Sequence, residues 1–167
     1  KTAVKQGKRK YLKRMMALWK KERPYVDIWM ILDENGKIIA RLNSDIAGDT
    51  MEINDLVKEA LLSGDVRLST EILPTDLLKK EGTGFHEQFV VPVISKGLAD
   101  EYKRPGGNIE GNAMAVAVVI PVSDKNHTFI GAIVTADIMN NDTRIPDTIA
   151  NKIPGLYAAI AMDGLMI

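Results

Sequence analysis

The chain has 167 residues, 46% of them apolar, and no net formal charge, which bounds it to one full core and at most the start of a second unit. Without cysteine it can form no disulfide, thiolate metal centre, cysteine nucleophile or thioether-linked haem, and no run approaches the roughly 18–20 consecutive apolar residues of a membrane-spanning helix. The neutral total hides a split: of 22 basic and 22 acidic side chains, residues 1–23 hold ten of the former and only Glu22 of the latter, leaving the remainder strongly acidic.

Residues 2–22 contain no proline, and Tyr11, Leu12, Met15, Met16 and Trp19 fall on one helical face with basic residues around the rest, which predicts a long amphipathic helix. Glu22-Arg23-Pro24 ends it, because the residue before a proline is pushed out of the α region. This stretch has neither the apolar centre nor the cleavage site of a signal peptide. Its charge suits a polyanion, either nucleic acid or a membrane surface. The apolar stripe needs a protein partner and no base-reading element accompanies it, so the expectation is a solvated basic face and no nucleic-acid binding. The chain begins at Lys1 rather than Met, so an excised portion of a longer chain is expected, from which any upstream signal or anchor has been cut away.

The period then changes. Residues 25–32 and 37–42 read as strands joined by Asp33-Glu34-Asn35-Gly36, in which Asn-Gly offers the positive φ angles of a tight hairpin. After the turn-rich segment 43–50, Ile53, Leu56, Val57, Ala60 and Leu61 form a helical stripe that closes at Ser63-Gly64. Residues 67–73 read as a strand, and Pro74-Thr75-Asp76 starts a short helix over 77–81. Residues 83–111 are long and aperiodic, as functional or mobile loops are. Residues 113–122 are almost wholly apolar, the pattern of a central strand, and after a turn 129–138 returns as another. A helix over 144–153 stops at Pro154-Gly155, and 157–167 reads as a hairpin. The sum is an α+β arrangement, an antiparallel sheet of about five strands with helices and loops packed on it.

Catalytic chemistry finds no foothold. No Gly-x-Ser-x-Gly frame surrounds any serine, and Gly106-Gly107-Asn108 lacks the preceding strand and Gly-Lys-Ser/Thr ending of a phosphate loop. His86 and His127 have no zinc-motif spacing, so both are read as surface residues. Paired carboxylates such as Asp33/Glu34 and Asp100/Glu101 are sequential and need not face one another. The expectation is a binding protein with no enzymatic activity, metal or cofactor. A charged side chain within an apolar strand must meet a partner, a ligand or water, which singles out Arg41, Arg67, Glu71 and Asp137. Arg67, Ser69 and Glu71 share one face of their strand, with Leu68, Thr70 and Ile72 on the other. A carboxylate ligand favours Arg67 or Arg41; an amine favours Asp137 or Glu71. With Trp29 as a possible wall and Tyr102 in the long loop, the expected ligand-contacting set is Trp29, Arg41, Arg67, Thr70, Glu71, Tyr102 and Asp137.

Several of these segments, in this order, resemble Cache sensor domains. The run from Asp27 through Asp33-Glu34-Asn35-Gly36 to Arg41 is similar to the first hairpin of that family. Ser44 to Thr50 with the helix after it, Ser69-Thr70-Glu71-Ile72-Leu73-Pro74, and the pair Ile120-Pro121-Val122 and Phe129-Ile130-Gly131-Ala132-Ile133-Val134 resemble later parts. Asp137 sits where many members carry an aspartate. The resemblance covers roughly residues 25–141. It implies a PAS-like sheet, a small-molecule pocket between one sheet face and the loops over it, and a long N-terminal helix leading to a membrane span. On that basis residues 1–24 are a membrane-proximal stalk, 25–144 the sensor domain, and 145–167 a C-terminal helix and hairpin that open a second module. The implied protein is the extracytoplasmic sensing part of a methyl-accepting chemotaxis receptor or sensor kinase. Its partner is an organic acid, amino acid or amine, and a homodimer through the N-terminal helix is a further expectation. The aromatic- and arginine-rich signature of amino-acid-binding members is absent, so the ligand class is not inherited. The alternative is a cytosolic PAS- or profilin-like protein-interaction domain with no metabolite.

Overall fold

The computed structural model describes residues 2–51, 55–93, 107–109, 111–162 and 165–167. In chain order its elements are α1 (Thr2–Glu22), β1 (Ile28–Asp33), β2 (Ile38–Arg41), α2 (Leu56–Ser63), β3 (Arg67–Leu73) and α3 (Thr75–Lys80). A 3₁₀ turn (His86–Phe89), β4 (Val91–Val93), β5 (Gly107–Ile109), β6 (Ala113–Ser123), β7 (Phe129–Ile138), α4 (Arg144–Ala150), β8 (Ala161–Met162) and β9 (Leu165–Met166) follow. The fold is α+β, with a five-stranded antiparallel sheet in the order β2-β1-β7-β6-β3.

Two hairpins built on the same device set that order. Asp33 Oδ1 accepts hydrogen bonds from the amides of Asn35 and Lys37, both at 2.9 Å. Asp124 Oδ1 does the same for Asn126 and Thr128 at 2.8 and 2.9 Å. The left-handed residue is Gly36 in the first loop (φ 76°) and His127 in the second (φ 62°). Asn35, expected to share the positive φ, does not, so the first loop is wider than the two-residue mirror-image turn. β7 begins beside a close approach: a Cβ on Gly131 (φ 150°) would lie 2.2 Å from the carbonyl oxygen of Leu32, so only glycine fits.

Alternation along the strands gives the sheet two unlike faces. The inner face carries Ile28, Met30, Leu32, Val134, Ala136, Ile138, Ala115, Ala117 and Val119, all buried beneath α2, α3 and the 3₁₀ turn. α2 contributes Leu56, Val57 and Ala60 and ends at left-handed Gly64, whose amide bonds the Ala60 carbonyl. The outer face is covered only at one side, where Met16 (fully buried), Leu12 and Trp19 of α1 pack on Trp29, Ile31, Ala40 and Ile133. Tyr11, expected on the packed stripe, is instead 63% exposed.

Several boundaries differ from the sequence reading. The second helix starts at Leu56, with 52–54 outside the described residues. The last one stops at Ala150, and of 157–162 only Ala161–Met162 is strand. The stretch read as one long loop contains the 3₁₀ turn, β4 and β5, paired from Val91↔Ile109 to Val93↔Gly107. No helix among the described residues is long and apolar enough to cross a membrane.

Candidate functional site

The inner face of β3 is where sequence and packing bring polar groups onto an otherwise apolar surface. Register pairs Arg67 with Val119, Ser69 with Ala117 and Glu71 with Ala115, and one strand further on Ala117 pairs with Ala136. Short side chains beside the polar row keep the middle of the sheet low, and α2 crosses above β3 and β6. Ser69 Oγ donates to the carboxylate of Glu71, which is only 6% exposed. The Arg67 guanidinium lies 3.9 Å from Asp65 through Nη2, while its Nε–H is buried and has no acceptor. A buried donor left unpaired costs about 1–3 kcal/mol, more for a charged one. Arg67 thus carries a donor without an acceptor, with Ser69 and Glu71 one and two pleats further along the same face.

Arg41 also points to the inner face, but from the opposite edge and in a closed cluster. Its Nε donates to Glu81 at 2.8 Å, Nη1 to the Ile46 carbonyl and Asp49 at 2.9 Å, and Nη2 to Asp49 at 2.8 Å. Arg41 and Glu81 are 1% and 0% exposed. Burial pushes the Glu81 carboxyl up to about 7, against the pull of Arg41, whereas the hydrogen bond from Arg41 holds Asp49 down at about 2. The cluster ties β2, the 43–50 segment and the end of α3 together and leaves Arg41 little capacity for a ligand. Sequence reasoning missed Glu81 and Asp49. The only available signal was that a buried arginine requires acids, which says nothing of where they lie in the chain.

The remaining predicted residues are elsewhere. Asp137 is on the outer face, opposite Val116, and accepts from Arg144 Nη2 at 2.7 Å. Arg144 also pairs with Asp142, whose pKa it lowers through that hydrogen bond, and stacks 5.4 Å from the centre of the Tyr25 ring. Trp29 is on the outer face beneath α1, its ring 5.8 Å from that of Trp19. Thr70 is on the exposed outer side of β3. Tyr102 lies outside the described residues. Thus Arg67 and Glu71 share the inner face of β3, with Ser69 between them and bonded to Glu71, and the other described candidates are not on that strand face.

His127 is exposed in its hairpin, while His86 is half-buried with Nδ1 unpartnered. Among the described residues no group of three or more His, Asp or Glu could hold a metal ion. No protein-family model and no curated protein matches the chain.

Proposed function

We propose that this chain is a Cache-type ligand-sensing module, the extracytoplasmic part of a membrane-anchored prokaryotic chemoreceptor or sensor kinase. It binds a small carboxylate-bearing metabolite, an organic acid or amino acid, and does not turn it over. The observation that carries the reading is the buried, unpartnered Nε–H of Arg67 beside Ser69 and Glu71 on the α2-covered face. The five-stranded antiparallel sheet, with a long helix on its other face, supports it. A ligand acts as a signal only through different affinity for two states, and α1, docked on β1 and β2, is the element placed to carry the change outward.

Thermal melts with a panel of dicarboxylates, amino acids and amines test the proposal. Carboxylate-bearing compounds are expected to raise the melting temperature, and Arg67→Gln to abolish the rise while leaving the unliganded melt close to that of the parent. Stabilisation by none of the panel, or equal stabilisation of the variant, removes the site.

A second reading, a cytosolic PAS- or profilin-like protein-interaction domain, is favoured by one feature: the apolar outer side of β3 and β6. Leu68 is 67% exposed and Ile72 43%, more than lone surface residues need. A membrane-spanning segment encoded directly upstream in the parent gene is expected on the sensing reading and not on this one.

A further inference from the structure

Where α1 leaves the sheet, its last turns and the outer face enclose a cleft of about 440 Å³. Trp19 and Trp29 form one wall, and Val118, Ile120 and Ile133 form a floor. The size falls within the range of roughly 300–1,000 Å³ typical of small-molecule sites, and so does the pattern of an apolar lining with few polar groups. Beside the Tyr25 and Thr135 hydroxyls, two further donors lack a partner. Trp29 is 5% exposed, and its indole N–H is buried without an acceptor, although buried indoles normally find one. Arg23 stands at the rim, with no side-chain hydrogen bond or ion pair among the described residues.

The neighbouring charges are already committed. Lys20 donates to the Val26 carbonyl and lies 4.0 Å from Asp27; Asp27 accepts from the Ile138 amide at 2.9 Å; Asp137 is held by Arg144 at 2.7 Å. Among the described residues no Asp or Glu lines the cleft. What remains is a largely aromatic and aliphatic slot with the hydroxyls of Tyr25 and Thr135 in its lining, a cation at its rim, and no acid among the described lining residues to neutralise it.

We infer that this cleft binds a small aromatic carboxylate, with its ring between the tryptophan wall and the Val118–Ile120–Ile133 floor and its carboxylate on Arg23 and the Trp29 N–H. Arg23 supplies the fork that matches a carboxylate. The site is on the opposite face of the sheet from Arg67 and does not rest on the function proposed for that residue.

The chain's two tryptophans both line this cleft, so its intrinsic fluorescence reports the site directly. Titration with phenylacetate is expected to give a saturable fluorescence change, with 2-phenylethanol, the uncharged analogue, binding far more weakly. Arg23→Gln, at an exposed position, is expected to weaken phenylacetate by roughly tenfold or more, as loss of a hydrogen bond to a charged group does. Trp29→Phe, read by calorimetry, keeps an aromatic wall and is expected to lose roughly two- to tenfold. No saturable change up to millimolar phenylacetate overturns the site. Equal binding of 2-phenylethanol, or an unaltered affinity in Arg23→Gln, overturns its assignment to carboxylates.

Discussion

At the scale of single residues, the Arg41–Glu81 pair shows how a buried charge decides local stability. Removing one partner strands the other in an apolar setting, at a cost of about 3–5 kcal/mol, so Arg41→Ala is expected to lower unfolding free energy by that amount in urea titrations. A loss below about 1 kcal/mol, the range of exposed pairs, would mean that the cluster is not closed to water. Glu81 also sets a pH dependence. Burial raises its folded pKa from 4.5 to about 7, so the folded state takes up a proton more readily than the unfolded chain. Its contribution is fully present below about 4.5 and is lost as pH rises through about 7. Between those limits the parent should gain stability relative to Glu81→Gln as pH falls, and parallel stability profiles of the two proteins would contradict this. The need of Arg41 for a partner was legible in the sequence; the partner was not. Glu81 stands 40 positions further on, brought there only by the path of the chain through β3 and α3, whose C-terminal cap is Glu81.

Elements were legible where one local rule governs them. The β1–β2 hairpin, the α2 stop at Gly64 and the two long apolar strands follow from Asn-Gly, Ser-Gly and unbroken apolar runs, each sufficient within a few residues. Residues 83–111 obey no such rule: β4 and β5 are three residues each and lie on either side of a long intervening stretch, so no periodicity betrays them. Two substitutions of opposite chemistry test the hairpin device. Gly131→Ala would drive a methyl group into the Leu32 carbonyl and is expected to cost at least the ~1–3 kcal/mol of a strained backbone position. His127→Gly relieves a left-handed residue (φ 62°) whose strain is about 1–2 kcal/mol, less the roughly 0.5–1 kcal/mol of entropy that glycine loses on folding, for a net gain of up to ~1.5 kcal/mol. Thermal unfolding of the two variants should move in opposite directions. A destabilised His127→Gly would show that the imidazole contributes something that its exposed position does not suggest.

For the whole molecule, the charge split seen in the sequence becomes a structural arrangement: a basic helix docked on an acidic body. Its anchor is apolar, with Met16 fully buried and Trp19 against Trp29, but charge assists. Lys13 bonds Asp45 at 2.7 Å and Lys20 lies 4.0 Å from Asp27, while Arg9 Nε donates to the Ile39 carbonyl at 3.1 Å. Exposed pairs contribute only about 0.2–1 kcal/mol each and are screened by salt, so the long-range attraction between the two oppositely charged parts is the larger salt-sensitive quantity. Sodium chloride is therefore expected to weaken α1 docking, by about 1 kcal/mol between low ionic strength and ~1 M, where the screening length falls to about 3 Å. Both tryptophans sit at this interface, so their fluorescence during urea unfolding follows helix release. The urea midpoint seen by tryptophan should fall with salt more than the midpoint seen by circular dichroism of the sheet. Coincident midpoints at every salt concentration would mean that α1 and the sheet unfold as one unit, and that α1 cannot be moved independently by an event on the opposite face.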